Sequence, residues 1–330
     1  MPSASPTTLH SAPSLPDMAA PHAPVLLDEV ARLLGPGPGD VVVDCTFGAG
    51  GHARELAPAL GPDGLYVAID QDPDVRVHVA AFAQSAPCRT RFERGNFADV
   101  LPALREEGLR ADAVLMDLGL SSMQIDRPER GFSYSRQAPL DMRMDPEGAR
   151  SAADLVATAS EAELTRWMRE YGEERYARSI ARSIVRRRAQ EPITTTGDLV
   201  EVVRASVPTA ALFAGGHPAK RVFQALRIAV NRELEILPGA LDDAFALLAP
   251  GGRMAVIAFH SLEDRIVKRA MRDRVRGCVC PPGMPVCGCG RASQAALLTT
   301  RAVRPAPDEL DRNPRAHSAR LRALVRRDGE

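Results

Sequence analysis

The chain has 330 residues, 45% of them apolar, with Lys+Arg and Asp+Glu balanced at 42 each. That length holds one large α/β domain plus an insertion or small second domain, and the apolar share suffices for a packed core. Balanced charge makes no case for nucleic acid except through where the charges sit, and no apolar run approaches the roughly 18 residues of a membrane-spanning helix.

The first twenty residues are rich in Pro, Ser, Ala and Thr and hold no Lys or Arg. Neither a secretory signal nor an arginine-rich presequence fits them, so residues 1–21 are expected to be a disordered tail on a cytoplasmic protein. From His22 to Leu34 the apolar residues Leu26, Leu27, Val30, Leu33 and Leu34 share a helical face, which Gly35-Pro-Gly-Pro-Gly ends. Val41, Val42 and Val43 then read as a buried parallel strand closing on Asp44, and the chain turns through Gly48, Gly50 and Gly51 into a helix from about His52 to Leu60. Glycine there accepts positive φ and lets backbone N–H groups approach a ligand. Gly48-Ala-Gly50-Gly-His-Ala53 also satisfies the dinucleotide pattern, which alone is a weak signal. The Asp-x-x-x-Gly-x-Gly context from Asp44 to Gly50 favours S-adenosylmethionine.

A second strand, Leu65 to Asp70, ends on an acid suited to a ribose diol of either cofactor. A third is expected near Thr90 to Arg94, followed by Phe97, an aromatic placed to stack on adenine or to join the core. Ala113 to Asp117 is the fourth. Ligands of such sheets gather outside the carboxyl ends of the strands, so Asp44, Asp70 and Asp117 are expected to converge on one crevice.

The alternation then stops. Residues 124–218 read as helical, with a loop-like Arg127 to Asp145 and amphipathic helices near 160–171, 174–190 and 196–206. The sheet pattern returns at Gly251 to His260. The expected architecture is an α/β, Rossmann-like S-adenosylmethionine-dependent methyltransferase sheet formed by 22–123 and 219–330, with an all-helical insertion at 124–218 for RNA recognition. Within the insertion Arg175, Arg178, Arg182 and Arg186 share a face, either a solvated surface or a ridge that tracks phosphates. Pro314 to Arg327 holds five arginines and no acid; as a strand it would turn Leu321, Ala323 and Val325 inward and Arg320, Arg322 and Arg326 outward.

Of six cysteines, Cys45 and Cys88 read as small buried hydrophobes. Cys278, Cys280, Cys287 and Cys289 lie within twelve residues as two Cys-x-Cys steps around a proline-rich gap. They are either a zinc site or reduced surface thiols, because a cytoplasmic setting disfavours stable disulfides.

Several spaced motifs occur in order: Asp44-Cys-Thr-Phe-Gly-x-Gly-Gly-His52, Asp117-Leu-Gly-x-Ser-Ser122, Arg130-Gly-Phe-Ser, Leu140-Asp-Met-Arg-Met-Asp145, Tyr171-Gly-Glu-Glu-Arg175, Phe223-Gln-Ala-Leu-Arg-Ile228, Phe259-His-Ser-Leu-Glu-Asp-Arg265 and Asn313-Pro-Arg. From His22 to about Ala323 the chain resembles the bacterial ribosomal RNA small-subunit methyltransferase H (MraW) family. The resemblance implies S-adenosylmethionine-dependent N4-methylation of cytosine 1402 in the decoding region of 16S rRNA. It implies cofactor contacts at Gly50, Gly51, His52, Asp70, Phe97, Asp117 and Gln124. Amino-methyltransferases often carry Asn/Asp-Pro-Pro-Tyr after the fourth strand; Asp117-Leu-Gly-Leu stands here instead, leaving Asp117 and His260 as candidates for orienting the cytosine amine. A strand-end histidine such as His260 equally caps or packs. Three other functions share parts of this pattern: a DNA cytosine methyltransferase, an NAD oxidoreductase and a non-enzymatic ribosome-assembly factor.

Overall fold

The computed structural model describes residues 24–212, 217–280, 286 and 288–327, with 211 and 212 by backbone alone; the expected tail and Cys287 lie outside the described residues. A seven-stranded sheet is its centre: β1 (Val41–Asp44), β2 (Leu65–Asp70), β3 (Arg89–Arg94), β4 (Ala111–Asp117), β5 (Leu248–Ala258), β6 (Ala295–Leu297) and β7 (Arg320–Arg326). The spatial order is β3-β2-β1-β4-β5-β7-β6. The first five strands are mutually parallel, and β7 runs antiparallel to both β5 and β6.

Helices cover both faces. On one lie α1 (Leu27–Leu34), α2 (Gly51–Leu56) and α3 (Arg76–Ser85). On the other lie α4 (Phe97–Glu106), α12 (Glu233–Leu247) and α13 (Ser261–Val275). Successive strand residues alternate between the two cores: Val42, Ala68 and Leu115 pack in the first, and Val43, Val67, Ile69, Val114 and Met116 in the second. Coverage on both sides is why these strands read as unbroken apolar runs. Pro58 follows α2, and a single 3₁₀ turn over Ala57–Ala59 replaces the helix expected to reach Leu60.

Between β4 and α12 the chain forms α5 (Ser122–Asp126), α6 (Ala152–Thr158), α7 (Glu161–Glu170), α8 (Ala177–Arg188), α9 (Thr196–Ser206), α10 (Thr209–Leu212) and α11 (Lys220–Asn231). Capping boxes at Ser121/Gln124, Ser151/Asp154, Ser160/Glu163 and Thr195/Asp198 set four of these starts. A third apolar cluster, including Val156, Leu164, Ile180, Ile184 and Leu199, gathers α6 to α9; α11 joins it through Val222, Phe223 and Leu226. No described helix is long and apolar enough to cross a membrane.

The strand expected in Pro314–Arg327 is β7, but its arginines do not face open solvent. Flanked by strands on both sides, β7 buries Leu321 and Ala323 in one core and Leu324 in the other, while Val325 is only half-buried. On its second face Arg322 donates to Asp264 at 2.7 Å, Arg320 to the same carboxylate at 3.2 Å, and Arg326 to the Leu248 carbonyl at 2.6 Å. These cations hold α13 and the end of α12 onto the sheet.

Candidate active site

Strand order reverses between β1, whose chain continues to β2 and β3, and β4 on its other side. At such a switch point the loops leaving neighbouring strands diverge and open a crevice. Here the crevice is a cleft of about 690 Å³, within the usual range for a site that encloses a small molecule. Gly51, His52, Asp70, Phe97, Asp117 and Gln124 line it.

Its floor is the loop from Cys45 to Gly51. Gly50 sits at φ +74°, and a Cβ there would lie 2.7 Å from Phe47 Cζ, so only glycine closes this turn over the phenylalanine ring. The Gly48 N–H donates to Asp70 Oδ2 at 2.8 Å, tying the loop to the end of β2. Asp70 Oδ1 accepts from the Asp72 N–H at 2.9 Å. Burial pushes the Asp70 carboxyl up to about 6, against the lowering effect of those two N–H groups. Thr46 Oγ1 accepts from the Asp117 N–H at 2.7 Å and fixes the start of the β4 loop.

Only two of the three strand-end acids reach the cleft. Asp44 is 1% exposed and accepts from the Tyr66 hydroxyl at 2.9 Å and the Thr46 N–H at 3.0 Å. Burial raises its pKa. Asp44 therefore shapes the loop from beneath and is not a ligand-facing acid. The expected three-acid convergence fails because Tyr66, on β2 two residues before the Ala68 that pairs with Asp44, supplies a buried donor to it.

Around Asp117 the polar groups are incompletely satisfied. His52 Nε2 stands 3.6 Å from Asp117 Oδ2, beyond hydrogen-bond reach, and both His52 nitrogens and Asp117 Oδ1 are buried without a hydrogen-bond partner. Buried polar atoms are rarely left so, and here they edge the cleft, where a ligand would meet them. Gln124 is the opposite case: its amide nitrogen donates to Asp72 Oδ2 at 2.9 Å and its oxygen accepts from the Ser121 N–H at 3.1 Å. Phe97 is half-buried at the start of α4, packed on the second core with its neighbours while also lining the cleft.

His260 caps α13. Its Nδ1 accepts from the Glu263 N–H at 3.4 Å, and its Nε2 lies 3.1 Å from Glu263 Oε1. It is not among the lining residues; Glu263 is. The far wall of the cleft holds a network that the sequence did not reveal. Arg227 pairs with both Glu233 oxygens at 2.9 Å. Burial alone would lower its pKa, but Glu233 and Glu263 outweigh that and hold the guanidinium charged. Burial likewise pushes Glu263 up, and His260 and Arg227 more than offset it, leaving the carboxyl below its usual range. Arg227, His260 and Glu263 belong to the motifs Phe223-Gln-Ala-Leu-Arg-Ile228 and Phe259 to Arg265, whereas Glu233 belongs to neither, and these segments meet only in space.

Arg130 is a second such residue. Its guanidinium reaches Asp72 Oδ2 at 2.8 Å and the carbonyls of Arg143 and Met144 at 3.0 and 2.8 Å. Asn231 completes the joint, accepting from the Met144 N–H and donating to the Met142 carbonyl, both at 2.8 Å. Loop 127–145 is thus strapped to the end of β2 and to α11. The arginine row lies elsewhere: Arg178, Arg182 and Arg186 are exposed on α8, with Arg182 standing 4.0 Å from Glu161, while Arg175 precedes the helix and covers the Tyr176 ring.

Dinucleotide-binding sheets run 3-2-1-4-5-6 with parallel strands. Wedging an antiparallel β7 between β5 and β6 departs from that plan and, with a cleft at the β1/β4 switch point, gives the sheet of the Rossmann-like, S-adenosylmethionine-dependent methyltransferase fold class. Comparison with known proteins narrows the class: the profile of the MraW methylase family matches residues 19–327, and the chain belongs to that family. It is 50% identical over 306 residues to the ribosomal RNA small subunit methyltransferase H of Syntrophotalea carbinolica, covering 92% of this chain and 98% of the relative. It is also 50% identical over 312 residues to the protein of that name from Symbiobacterium thermophilum, covering 94% and 98%.

The residues present fit S-adenosylmethionine. The cleft has the volume, the glycine loop brings backbone close, Asp70 offers a carboxylate at the β2 end, and the unpartnered atoms of His52 and Asp117 await polar contacts.

Proposed function

We propose that this protein methylates N4 of cytosine 1402 in 16S rRNA of the small ribosomal subunit. The observation that carries the chemistry is the buried, unpartnered Asp117 Oδ1 on the cleft wall. The rRNA substrate is supported by relatives of near-identical extent that carry the small-subunit name.

S-adenosylmethionine, when bound, supplies a methyl group already activated on a sulfonium. The protein's task is then positioning, which contributes most when the reacting atoms are held in line at near-attack distance. Asp70 would accept hydrogen bonds from the ribose hydroxyls, and Phe97 would flank the adenine. Asp117 Oδ1 accepts a hydrogen bond from the cytosine amine, turning the nitrogen lone pair out of conjugation and toward the methyl. Transfer breaks the sulfonium–methyl bond and leaves a cationic N4-methylated cytosine, which is acidic enough to lose its proton to water, so no strong base is needed. Asp117 lines the cleft and His260 does not, which favours Asp117 as the orienting group. A base in RNA reaches such a cleft by flipping out of its stack, and the exposed arginines of α8 would hold the phosphates meanwhile.

The test is transfer from labelled S-adenosylmethionine to small subunits lacking the modification, with the nucleotide mapped. Label at N4 of that cytosine is expected, and Asp117→Asn should lower turnover by about 100-fold or more. Label on DNA cytosine instead, or on another rRNA position, would overturn the assignment.

A further inference from the structure

The cysteine-rich loop between α13 and β6 takes no part in the cleft: none of Cys278, Cys280 and Cys289 lines it. We propose that Cys278, Cys280 and Cys289 bind one Zn²⁺ ion as thiolates, a structural metal site on this loop.

Three sulfurs converge there, their Sγ atoms all within 4.8 Å of one another. Cys278 and Cys289 Sγ are 3.7 Å apart. Two thiolates at about 2.3 Å from a tetrahedral Zn²⁺ stand about 3.8 Å from each other, so the spacing matches an edge of that tetrahedron. It is far from the roughly 2.05 Å of a disulfide, which would in any case use two sulfurs and leave the third unexplained. Backbone donors are aimed at the sulfurs as well. The Cys280 N–H points at Cys278 Sγ at 3.4 Å, and the Val279 N–H at Cys289 Sγ at 3.5 Å.

Ordinary packing does not explain the convergence. Val279 and Val286 are 41% and 77% exposed, and Cys278 and Cys289 are exposed too. Residues so exposed gain little from packing, and a metal is the usual tie when the thiols are kept reduced. The feet of the loop are already fixed, by the Gln294 N–H on the Arg274 carbonyl at 2.9 Å and Arg291 on the Asp273 carbonyl at 3.0 Å. The metal would tie Cys278 and Cys280 to Cys289. Binding deprotonates the thiols and releases their protons to solvent, and the excess negative charge of three thiolates on a dication lies beside Arg276 and Arg291 in the chain. Cys287, two residues before Cys289, lies outside the described residues, and the three placed sulfurs carry the proposal.

The experiment uses the full chain, made without a histidine tag and purified under reducing conditions. Elemental analysis should find about one zinc per chain, and Cys278→Ser and Cys289→Ser should each reduce it to about a fifth or less. Metal-free protein titrated with Co²⁺ should develop a near-ultraviolet sulfur-to-cobalt band that Zn²⁺ abolishes and that both variants weaken. Cofactor affinity of the variants should be unchanged, which separates loss of metal from loss of fold. Zinc below about a tenth per chain with no cobalt band, or zinc that persists in both variants, would overturn the proposal and leave reduced surface thiols.

Discussion

Asp70 is a carboxylate whose burial conflicts with its task. Its pKa is pushed up to about 6, so the ionised form that best accepts ribose hydroxyls is lost as pH falls through 6 and not near 3.8, where an ordinary aspartate titrates. Cofactor affinity measured by calorimetry should therefore be flat above pH 7 and weaken by up to about tenfold per unit below 6. The same raised value means that Asp70 favours the cofactor-free fold at low pH, a contribution lost as pH rises through about 6. Asp70→Ala should remove the pH dependence and cost on the order of 2–3 kcal/mol of binding, the loss of a charge-assisted pair of hydrogen bonds. Unchanged affinity in that variant would show that the ribose sits elsewhere. Asp117 differs although it is also a strand-end acid: its Oδ1 is buried without a partner, whereas both Asp70 oxygens already hold backbone N–H groups.

At the level of elements, the cleft depends on two joints. One is the turn into α2, where Gly50 combines φ +74° with a neighbour 2.7 Å from any added Cβ. Gly50→Ala should destabilise the protein by about 1–3 kcal/mol and loosen the loop that Asp70 grips, so that urea midpoint and cofactor affinity fall together. The other joint is loop 127–145, held by the buried Arg130–Asp72 pair. Arg130→Ala leaves Asp72, 1% exposed, without that charge and should cost about 3 kcal/mol, read from the urea transition. Gln124 still donates to Asp72 in that variant, so replacing Gln124 as well should cost more than the two single losses added. Strict additivity would mean that the two side chains do not act on one carboxylate.

For the molecule as a whole, catalysis and RNA contact are assigned to different surfaces. In the proposed function the cleft at the sheet holds the chemistry, while α8 presents Arg178, Arg182 and Arg186 from a separate helical cluster. Changing all three to glutamine should weaken RNA binding and flatten its salt dependence by about two to three released counterions, with cofactor affinity intact. An unchanged slope in filter-binding assays across a salt series would mark the row as a solvated face. The straps at Arg130 and Asn231 join loop 127–145, through which the chain enters the helical cluster, to the β2 end and to α11.

The sequence by itself determined the parallel strands, the acids at their ends, the glycine turn and the helices of the insertion. Each is a local pattern: an apolar run bounded by breakers, a spacing of three and four, or a capping residue three before its acid. The ordered motifs also determined the family, because their spacing survives without knowledge of the fold. Only the tertiary structure decided where polar groups spend their hydrogen bonds. Asp44 and Asp117 look alike in the chain, yet Tyr66 from the next strand satisfies one, and the Asp117 Oδ1 has no such neighbour. Arg320, Arg322 and Arg326 look like a free basic edge, yet Asp264, more than fifty residues earlier, and the carbonyls ending α12 take them up. Arg227 and Glu233 gain their place on the cleft wall through the packing of α11 and α12 beside the sheet. Periodicity reports which faces of one element are apolar, whereas pairing, desolvation and pKa depend on groups that residues distant in sequence bring within a few ångströms.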